Sequence, residues 1–184
     1  MVLTTLAAIF HPGALHAEET EPQDNYQIVT HLSLEQALKK IFPRADKIME
    51  TRISLDPEQT KKVEARVGHP LLAKDYTMYV GKQQGKMLGY AMVDEEIGKY
   101  RPITSLVGVD PDGKVLGVAI MVYRESRGGE ISHQRFLEQL VGKTHRDPIR
   151  VRQDIIAISG ATLSVRAVST QVRKALAIVE EVFR

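Results

Sequence analysis

The amino-acid sequence predicts an α+β protein built on an antiparallel β-sheet meander. From residue 76 onward, four segments rich in Val, Ile, Tyr and Met are separated by turn residues. The strongest turn signal is Asp110-Pro111-Asp112-Gly113, which predicts a hairpin. From residue 163 to 183, apolar side chains recur every three or four positions, a pattern typical of an amphipathic helix with one buried face. We therefore expect four or so strands, helices on one face and at the ends, and a long C-terminal helix.

Composition excludes several classes of protein. The chain has 184 residues, enough for one domain with a sizeable core, and its formal charge of +2 is too small to indicate nucleic-acid binding. It contains no Cys, which excludes disulfides, iron–sulfur ligation and zinc–thiolate sites. The six His are scattered without metal-ligand spacing, and no catalytic Ser, His and acid set is recognisable. If the protein transfers electrons, an organic cofactor must carry them.

The N-terminal segment resembles an export signal. Residues 2–10 are almost wholly apolar, and residues 15–17 precede an acidic pair, which together predict a secretory signal peptide cleaved after Ala17. No Lys or Arg precedes the apolar run, and the alternative is a disordered or core-packed N-terminus. We expect the mature protein to be extracytoplasmic or periplasmic. No later stretch approaches 18 consecutive apolar residues, so we do not expect it to span a membrane.

Two short helices and a strand are predicted to follow a flexible linker at residues 18–32. The folded domain is expected to span residues 33–184. Ser33 and Gln36 form a capping-box pattern that opens a helix to about residue 42. Residues 47–55 suggest a strand. Asp56 and Pro57 then begin a second helix, which ends at Gly68.

The sheet is predicted from four further segments and the glycines between them. Gly85 and Gly98 mark the first two turns, and the Asp110–Gly113 turn is the third. The predicted strands are residues 76–80, 87–93, 103–109 and 115–123.

A glycine-containing loop follows the last predicted strand. In residues 123–131, the consecutive Gly128 and Gly129 allow the backbone to approach a flat ligand closely. Taken alone, the segment also fits an ordinary charged surface loop. Residues 136–143 then suggest a short helix ending at Gly142.

The last helix is preceded by the string Ser159-Gly160-Ala161-Thr162-Leu163-Ser164. Before it, residues 155–158 form a short apolar run, either a buried strand or a turn. Ser159 and Thr162 are both candidates for the helix N-cap, and either could be a cap without further function. With either boundary, the Thr162 hydroxyl lies at a helix N-terminus, where free N–H groups favour a phosphate.

This string resembles the flavinylation motif of the FMN-binding domain family, which includes the flavin-carrying C and G subunits of ion-pumping NADH and ferredoxin oxidoreductases. In that family the motif Thr carries FMN through a phosphodiester that a flavin transferase installs from FAD. The resemblance implies that FMN is attached to Thr162. It also implies that the neighbouring motif residues bind the phosphate end of the cofactor: Ser159, Gly160, Ala161, Leu163 and Ser164.

The resemblance covers roughly residues 76–184 and extends to the glycine-containing loop. The family has an acid-Thr-Pro-Gly-rich loop at this place, followed by a Phe-x-x-Gln-Phe-x-Gly-Lys-like helix. Here Ser126 and Arg127 stand where Thr and Pro are common. The resemblance implies that the isoalloxazine ring is bordered by Glu125, Ser126, Gly128, Gly129 and Glu130.

Two functions are therefore expected as alternatives. The first is an exported flavoprotein electron carrier, matured by a flavin transferase and exchanging electrons with membrane or cytochrome partners. The second is a non-redox binding or structural module that keeps the fold without flavin. It is favoured by Ile156, because family members usually carry Asp three residues before the motif Ser and the nearest acid here is Asp154.

A basic group lies between the two motifs. It has three possible roles: a solvated surface, a counter-charge for the FMN phosphate, or a surface that steers an acidic redox partner. Its members are Lys143, His145, Arg146, Arg150 and Arg152.

Overall fold

The computed structural model describes residues 29–184. Within them the strands are β1 (Val29–Thr30), β2 (Lys47–Ser54), β3 (Asp75–Gln83), β4 (Lys86–Ile97), β5 (Pro102–Val109) and β6 (Val115–Tyr123). The helices are α1 (Leu34–Ile41), α2 (Pro57–Val67), α3 (Gln134–Leu137) and α4 (Thr162–Phe183), with a 3-10 helix at Gly129–Ser132. The predicted signal peptide and the linker up to residue 28 lie outside the described residues. The end of the predicted linker is not entirely irregular, because it contains β1.

All the strands belong to one antiparallel sheet with the order β1-β6-β5-β4-β3-β2. From β2 to β6, each strand pairs with the next one along the chain, so the predicted meander is confirmed. The predicted number of strands was too low. β2 pairs with β3 over its full length, and β1 adds two residues at the opposite edge, beside β6.

The hairpin turns form where turn residues predicted them. Gln84 and Gly85 connect β3 to β4 with φ values of 50° and 77°, the pair of positive angles that a two-residue hairpin requires. Between β5 and β6, Gly113 has φ 78°, and the Asp110 carboxylate accepts a hydrogen bond of 2.8 Å from the Lys114 N–H. Local sequence therefore sets both turns.

The helix caps of α1 and α2 are also as predicted. Ser33 and Gln36 exchange hydrogen bonds in a capping box, and Asp56 and Gln59 do the same at the start of α2. Gly68 ends α2 in the left-handed conformation, with φ 98°. Among the described helices, none has the length and apolar character needed to cross a bilayer.

The larger core lies between the sheet and α4, with α2 beside α4. The predicted apolar stripe of α4 is buried, and Val165, Val168 and Val172 are fully inaccessible. The prediction of a single buried face was wrong, because polar residues on other sides of α4 are buried as well. Arg173, for example, donates hydrogen bonds to the carbonyls of Ile149 and Val67 and is 8% exposed.

Polar side chains fasten α4 to the sheet. Gln171 accepts a hydrogen bond of 2.8 Å from the Ser105 hydroxyl, and its amide donates to the carbonyls of Asp94 and Ile103. The Lys174 ammonium lies 2.8 Å from carboxylate oxygens of both Asp94 and Glu96. These contacts satisfy polar groups that would otherwise be costly to bury.

A second, smaller core lies on the other face of the sheet, under α1. The prediction of helices on one face and at the ends was therefore wrong. β5 and β6 are apolar on both faces, with Leu106 and Ala119 facing α1. Gly108 lets α1 approach closely, because a Cβ atom there would overlap the Ile41 side chain. Residues buried around α1 are Ala37, Leu38, Ile41, Phe42, Ala91, Leu106, Ala119 and Met121.

The predicted helix at residues 136–143 is shorter and earlier than expected. α3 is one turn, and the chain continues in turns to Gly142, which has φ 77°. Backbone pairing explains the early end: Gly142 N–H donates to the Val115 carbonyl, and Val115 N–H donates to the Lys143 carbonyl. Residues 155–158 were predicted as a buried strand or a turn, and they form neither: Ile155 makes a single bridge with Val151, and residues 156–158 are irregular.

Candidate functional site

The N-terminus of α4 has no side-chain cap. Ser159 and Thr162 were the predicted N-cap candidates, and neither caps the helix. The N-cap residue is Ala161. Gly160, with φ 77°, turns the chain, and Ala161 N–H donates to the Ile158 carbonyl at 3.0 Å. Thr162 is thereby moved into the helix as its first residue. The first N–H groups of this 22-residue helix have no acceptor within it, and they favour an anion.

Thr162 presents a hydroxyl at this helix end. The residue is half-buried, and its side chain makes no hydrogen bond with any other residue that the structure describes. The hydroxyl is therefore chemically available beside an electropositive helix terminus.

Two adjoining cavities lie at the start of α4. The first has a volume of about 640 Å³ and contains Thr162 in its wall, and the second has about 560 Å³. Both volumes are within the range of small-molecule sites. The first is lined by Lys99, Tyr100, Glu125, Ser126, Arg127, Gly160, Ala161, Thr162, Leu163 and Ser164. The second is lined by Ser126, Arg127, Gly128, Gly129, Glu130, His133, Ser159 and Gly160.

All eleven residues that the sequence predicted for cofactor binding line one or both of these cavities. The loop after β6 and the start of α4, more than 30 residues apart in the chain, thus meet in space. Gly128 makes the contact possible. It has φ 89°, and a Cβ atom there would lie 2.8 Å from both the Ala161 Cβ and the Tyr123 hydroxyl oxygen.

Tyr123 ties the two segments together. Its hydroxyl donates to the Arg127 carbonyl and lies 3.1 Å from the Ser164 hydroxyl. Burial raises the pKa of Tyr123, so the phenol stays protonated and keeps its donor. Sequence reasoning treated Tyr123 as the last residue of a strand and did not assign it to the site.

Glu125 has a structural partner that the sequence did not reveal. One of its carboxylate oxygens accepts hydrogen bonds from three consecutive backbone N–H groups, those of Lys99 at 2.5 Å, Tyr100 at 2.7 Å and Arg101 at 3.1 Å. The carboxylate therefore anchors the β4–β5 turn to the loop after β6. Sequence patterns offered no signal for Lys99 and Tyr100 as lining residues, because they reach the site only through this long-range contact.

The positive charge at the first cavity comes from Lys99 and Arg127. The Lys99 ammonium lies 4.6 Å from the centre of the Tyr100 ring. The basic group predicted at residues 143–152 lines neither of the two cavities. Lys143 pairs instead with Asp154 at 2.9 Å, and His145 contacts Glu180 at 3.4 Å.

Neither Ile156 nor Asp154 brings a carboxylate to the two cavities at the start of α4. Ile156 is 76% exposed, and it borders a third cavity of about 380 Å³, which shares Glu130 and His133 with the second. Asp154 accepts hydrogen bonds from Lys143 and from the backbone of Ile149 and Arg150, and it lines neither cavity at α4. Within residues 29–184, no cluster of His, Asp and Glu is arranged to hold a metal ion.

Part of the chain matches a known protein family. Residues 98–177, which contain both motifs, match the FMN-binding domain family. The chain is 23% identical over 131 residues to the G subunit of the Na⁺-translocating ferredoxin:NAD⁺ oxidoreductase complex of Acetobacterium woodii. That match covers 66% of this chain and 63% of the relative, so the chain spans less than two thirds of the relative's length.

Two crystal structures have a similar fold. NqrC of Shewanella oneidensis superposes with a TM-score of 0.50 and 19% identity, covering 75% of this chain and 81% of that one. The C subunit of the Na⁺-translocating NADH-quinone reductase of Parabacteroides distasonis gives a TM-score of 0.50 and 19% identity, with coverage of 74% and 77%. These likenesses confirm the α+β fold.

Proposed function

We propose that this chain, whose residues 98–177 belong to the FMN-binding domain family, is a flavoprotein that transfers electrons with an FMN held at the start of α4. One observation carries the proposal: an uncapped helix N-terminus opens onto a cavity of about 640 Å³, and the first helical residue offers a free hydroxyl. The free N–H groups at the helix end would bind the phosphate of FMN, and the cavity would hold the rest of the cofactor.

The finer proposal is a covalent bond at Thr162. The Thr162 oxygen would form a bond to the phosphorus that carries the ribityl group of FAD. The pyrophosphate bond of FAD would break, AMP would leave, and the hydroxyl proton would pass to solvent. A flavin transferase is the expected catalyst, as in the family that the motif resembles. The phosphodiester would sit against the free N–H groups of α4, with Ser159, Gly160 and Ser164 around it.

The two cavities offer room for the remainder of the cofactor. A Cβ atom at Gly129 or at Gly160 would meet no other atom within 4 Å, so the backbone at both positions borders open space. Lys99 and Arg127 supply positive charge, and Tyr100 supplies an aromatic face. When bound, FMN supplies one- and two-electron redox chemistry, and the protein sets its orientation and its exposure.

We further propose that the protein works as an exported electron carrier rather than as a stand-alone enzyme. The predicted signal peptide supports export, and the absence of Cys excludes iron–sulfur clusters with thiolate ligands as the electron carrier. The Acetobacterium relative is a subunit of a redox complex. By analogy, membrane or cytochrome proteins are proposed as the donor and acceptor.

Intact-mass spectrometry tests the covalent bond. Full-length protein made together with a flavin transferase is expected to gain the mass of one FMN less one water, and the flavin fluorescence should remain with the band on a denaturing gel. Thr162→Ala should abolish both signals. Ser126→Ala is the matched control, because it removes a hydroxyl from the same cavity without touching the helix end.

The alternative is a protein that keeps the fold without flavin. It is favoured by Ile156, since neither this residue nor Asp154 brings a carboxylate to the cavities at α4. A colourless protein of unchanged mass, made with an active transferase and free FMN, would support this alternative. Yellow protein that loses its flavin on denaturation would instead show FMN bound without the ester bond.

A further inference from the structure

A separate basic cavity lies between the middle of α4 and the loop before residue 154. Its volume is about 350 Å³, and we call it the arginine cavity. Its lining residues are Arg150, Val151, Gln153, Arg166, Ser169, Thr170 and Arg173. None of them lines the two cavities at the start of α4, and no carboxylate is among them.

Two of its arginines have no partner. Arg150 and Arg166 are exposed residues, and neither guanidinium makes an ion pair or a hydrogen bond with any part of the chain in residues 29–184. The two acids closest to Arg150 in sequence are already engaged. Asp147 accepts hydrogen bonds from the backbone N–H and hydroxyl of Thr144. Both carboxylate oxygens of Asp154 are occupied, one by the Lys143 ammonium at 2.9 Å and the other by the backbone N–H of Arg150. The positive charge of these two side chains is therefore uncompensated.

A third arginine is buried in the wall without a bonded counter-ion. Arg173 is 8% exposed and donates hydrogen bonds only to neutral acceptors, the carbonyls of Ile149 and Val67 and the Thr170 hydroxyl. Its Nε atom is buried and has no acceptor within the described residues. Burial, with the nearby charges of Arg150 and Arg66, lowers the pKa of Arg173 to about 10.

Ser169, beside Arg173 in the same wall, has a second unsatisfied group. The residue is 1% exposed, and its hydroxyl has no hydrogen-bond partner within the described residues. Buried polar atoms in folded proteins are nearly always hydrogen-bonded, because an unpaired one costs free energy. Ser169 and Arg173 both line the arginine cavity, so a ligand oxygen there would lie beside these two unsatisfied groups.

We propose that the arginine cavity is a second binding site, separate from the flavin site, for a tetrahedral oxyanion such as inorganic phosphate or a small phosphate monoester. Guanidinium groups match the oxygens of phosphate in charge and geometry, and three of them converge here without a carboxylate. Phosphate would offset the positive charges that share this wall. The volume suits a phosphate group and is too small for a flavin together with its ribityl phosphate.

Isothermal titration calorimetry with inorganic phosphate, on the full chain at constant ionic strength, tests the proposal. Wild-type protein is expected to bind phosphate saturably. Arg150→Gln and Arg166→Gln should each weaken the affinity by about tenfold or more, because each removes charged hydrogen bonds to the anion. Both positions are exposed, so the variants should fold normally. A parallel titration with glycerol 3-phosphate shows whether the site prefers free phosphate or a monoester.

Arg152→Gln is the matched control, because Arg152 is an exposed neighbour that does not line the cavity. The affinity of the Arg152→Gln variant for phosphate should stay within about twofold of that of the wild type. In a ¹H–¹⁵N spectrum, the Arg173 Nε–H signal should shift as phosphate is added and should stay in place with chloride. The double variant Arg150→Gln/Arg166→Gln should lose the saturable binding, whereas an anion held by the backbone N–H groups at the start of α4 would remain bound.

Three results would each overturn the proposal. The first is phosphate binding no stronger than that of chloride. The second is an equal loss of affinity in Arg152→Gln, which would indicate diffuse attraction to basic surface. The third is saturable phosphate binding that persists in the Arg150→Gln/Arg166→Gln double variant, which would place the anion elsewhere, such as at the start of α4.

Discussion

A single carboxylate, that of Glu125, determines where two loops of the proposed flavin site lie. Its three hydrogen bonds hold the β4–β5 turn against the loop after β6. Gly98 leaves room for this contact, since a Cβ atom there would lie 2.7 Å from the carboxylate oxygen. Lys99 and Tyr100 consequently reach the cavity wall. Glu125 thus acts on the site by positioning other residues.

We predict that Glu125→Ala frees the β4–β5 turn and lowers flavin loading. The free energy of unfolding should fall by about 1–2 kcal/mol, because three backbone donors exchange a charged acceptor for water. Hydrogen exchange at the amides of residues 99–101 should accelerate, and urea unfolding should give the stability change. Glu130→Ala, another acidic residue of the same loop, is the control and should leave those amides protected. Unchanged protection in Glu125→Ala would contradict the positioning role.

At the scale of elements, α1 depends on the glycine beneath it. A Cβ atom at Gly108 would overlap the Ile41 side chain, so helix and strand are complementary at this point. We predict that Gly108→Ala destabilises the protein by about 1–3 kcal/mol through overpacking. Ile41→Ala alone should cost about 2–5 kcal/mol through the cavity that it leaves.

The double variant separates steric conflict from general loss of packing. When Ile41 is truncated to Ala, an alanine at position 108 has room. The double variant should therefore lose less unfolding free energy than the two single variants added together, by at least about 1 kcal/mol. Denaturant unfolding of the four proteins measures this coupling. Strictly additive costs would mean that α1 does not pack on Gly108.

Local signals in the sequence predicted most elements correctly. Capping boxes at Ser33 and Asp56, the Gly85 turn and the α4 stripe each depend on residues within one or two turns of chain. The side of the sheet on which α1 packs was not predictable in this way, because it depends on apolar residues on both faces of β5 and on Gly108. The α3 prediction was wrong for a similar reason: the Gly142–Val115 pairing is long-range.

The candidate site was predicted largely through its resemblance to a family, and the structure brings its eleven residues together. What local patterns missed were the contacts made across the fold, by Tyr123, Lys99 and Tyr100. The N-cap was also misassigned. Ser and Thr are preferred caps, but Gly160 turns the chain so that Ala161 takes that position and Thr162 becomes the first helical residue.

At the scale of the whole molecule, two carboxylates make the free energy of unfolding depend on pH in the acid range. Burial on its own would raise the pKa of Asp154, but hydrogen bonds from Arg150, Lys143 and Ile149 outweigh it and lower the pKa. Hydrogen bonds from the backbone and side chain of Thr144 lower the pKa of Asp147. The unfolded chain therefore binds protons more readily at these groups. Their stabilising effect is complete above the ordinary Asp pKa of about 3.9 and is lost as pH falls through the lower folded values.

We predict that Asp154→Asn lowers stability by about 1–3 kcal/mol at neutral pH and by progressively less below about pH 4. Thermal unfolding across this pH range measures the difference between variant and wild type. Asp112→Asn is the control, since Asp112 is exposed and its side chain has no hydrogen bond within the described residues. A difference that stays constant with pH would exclude Asp154 as a source of the acid sensitivity.

The position of α4 in the larger core also governs when a cofactor can be attached. All the strands that α4 covers precede it in the chain, and its first residue bears the hydroxyl proposed for the ester bond. During synthesis, this face of the sheet stays uncovered until α4 has been made, and the larger core forms only then. A nascent polypeptide consequently lacks the cavity until translation has passed α4. The proposed flavin loading therefore follows the formation of α4, and it cannot guide the earlier stages of folding.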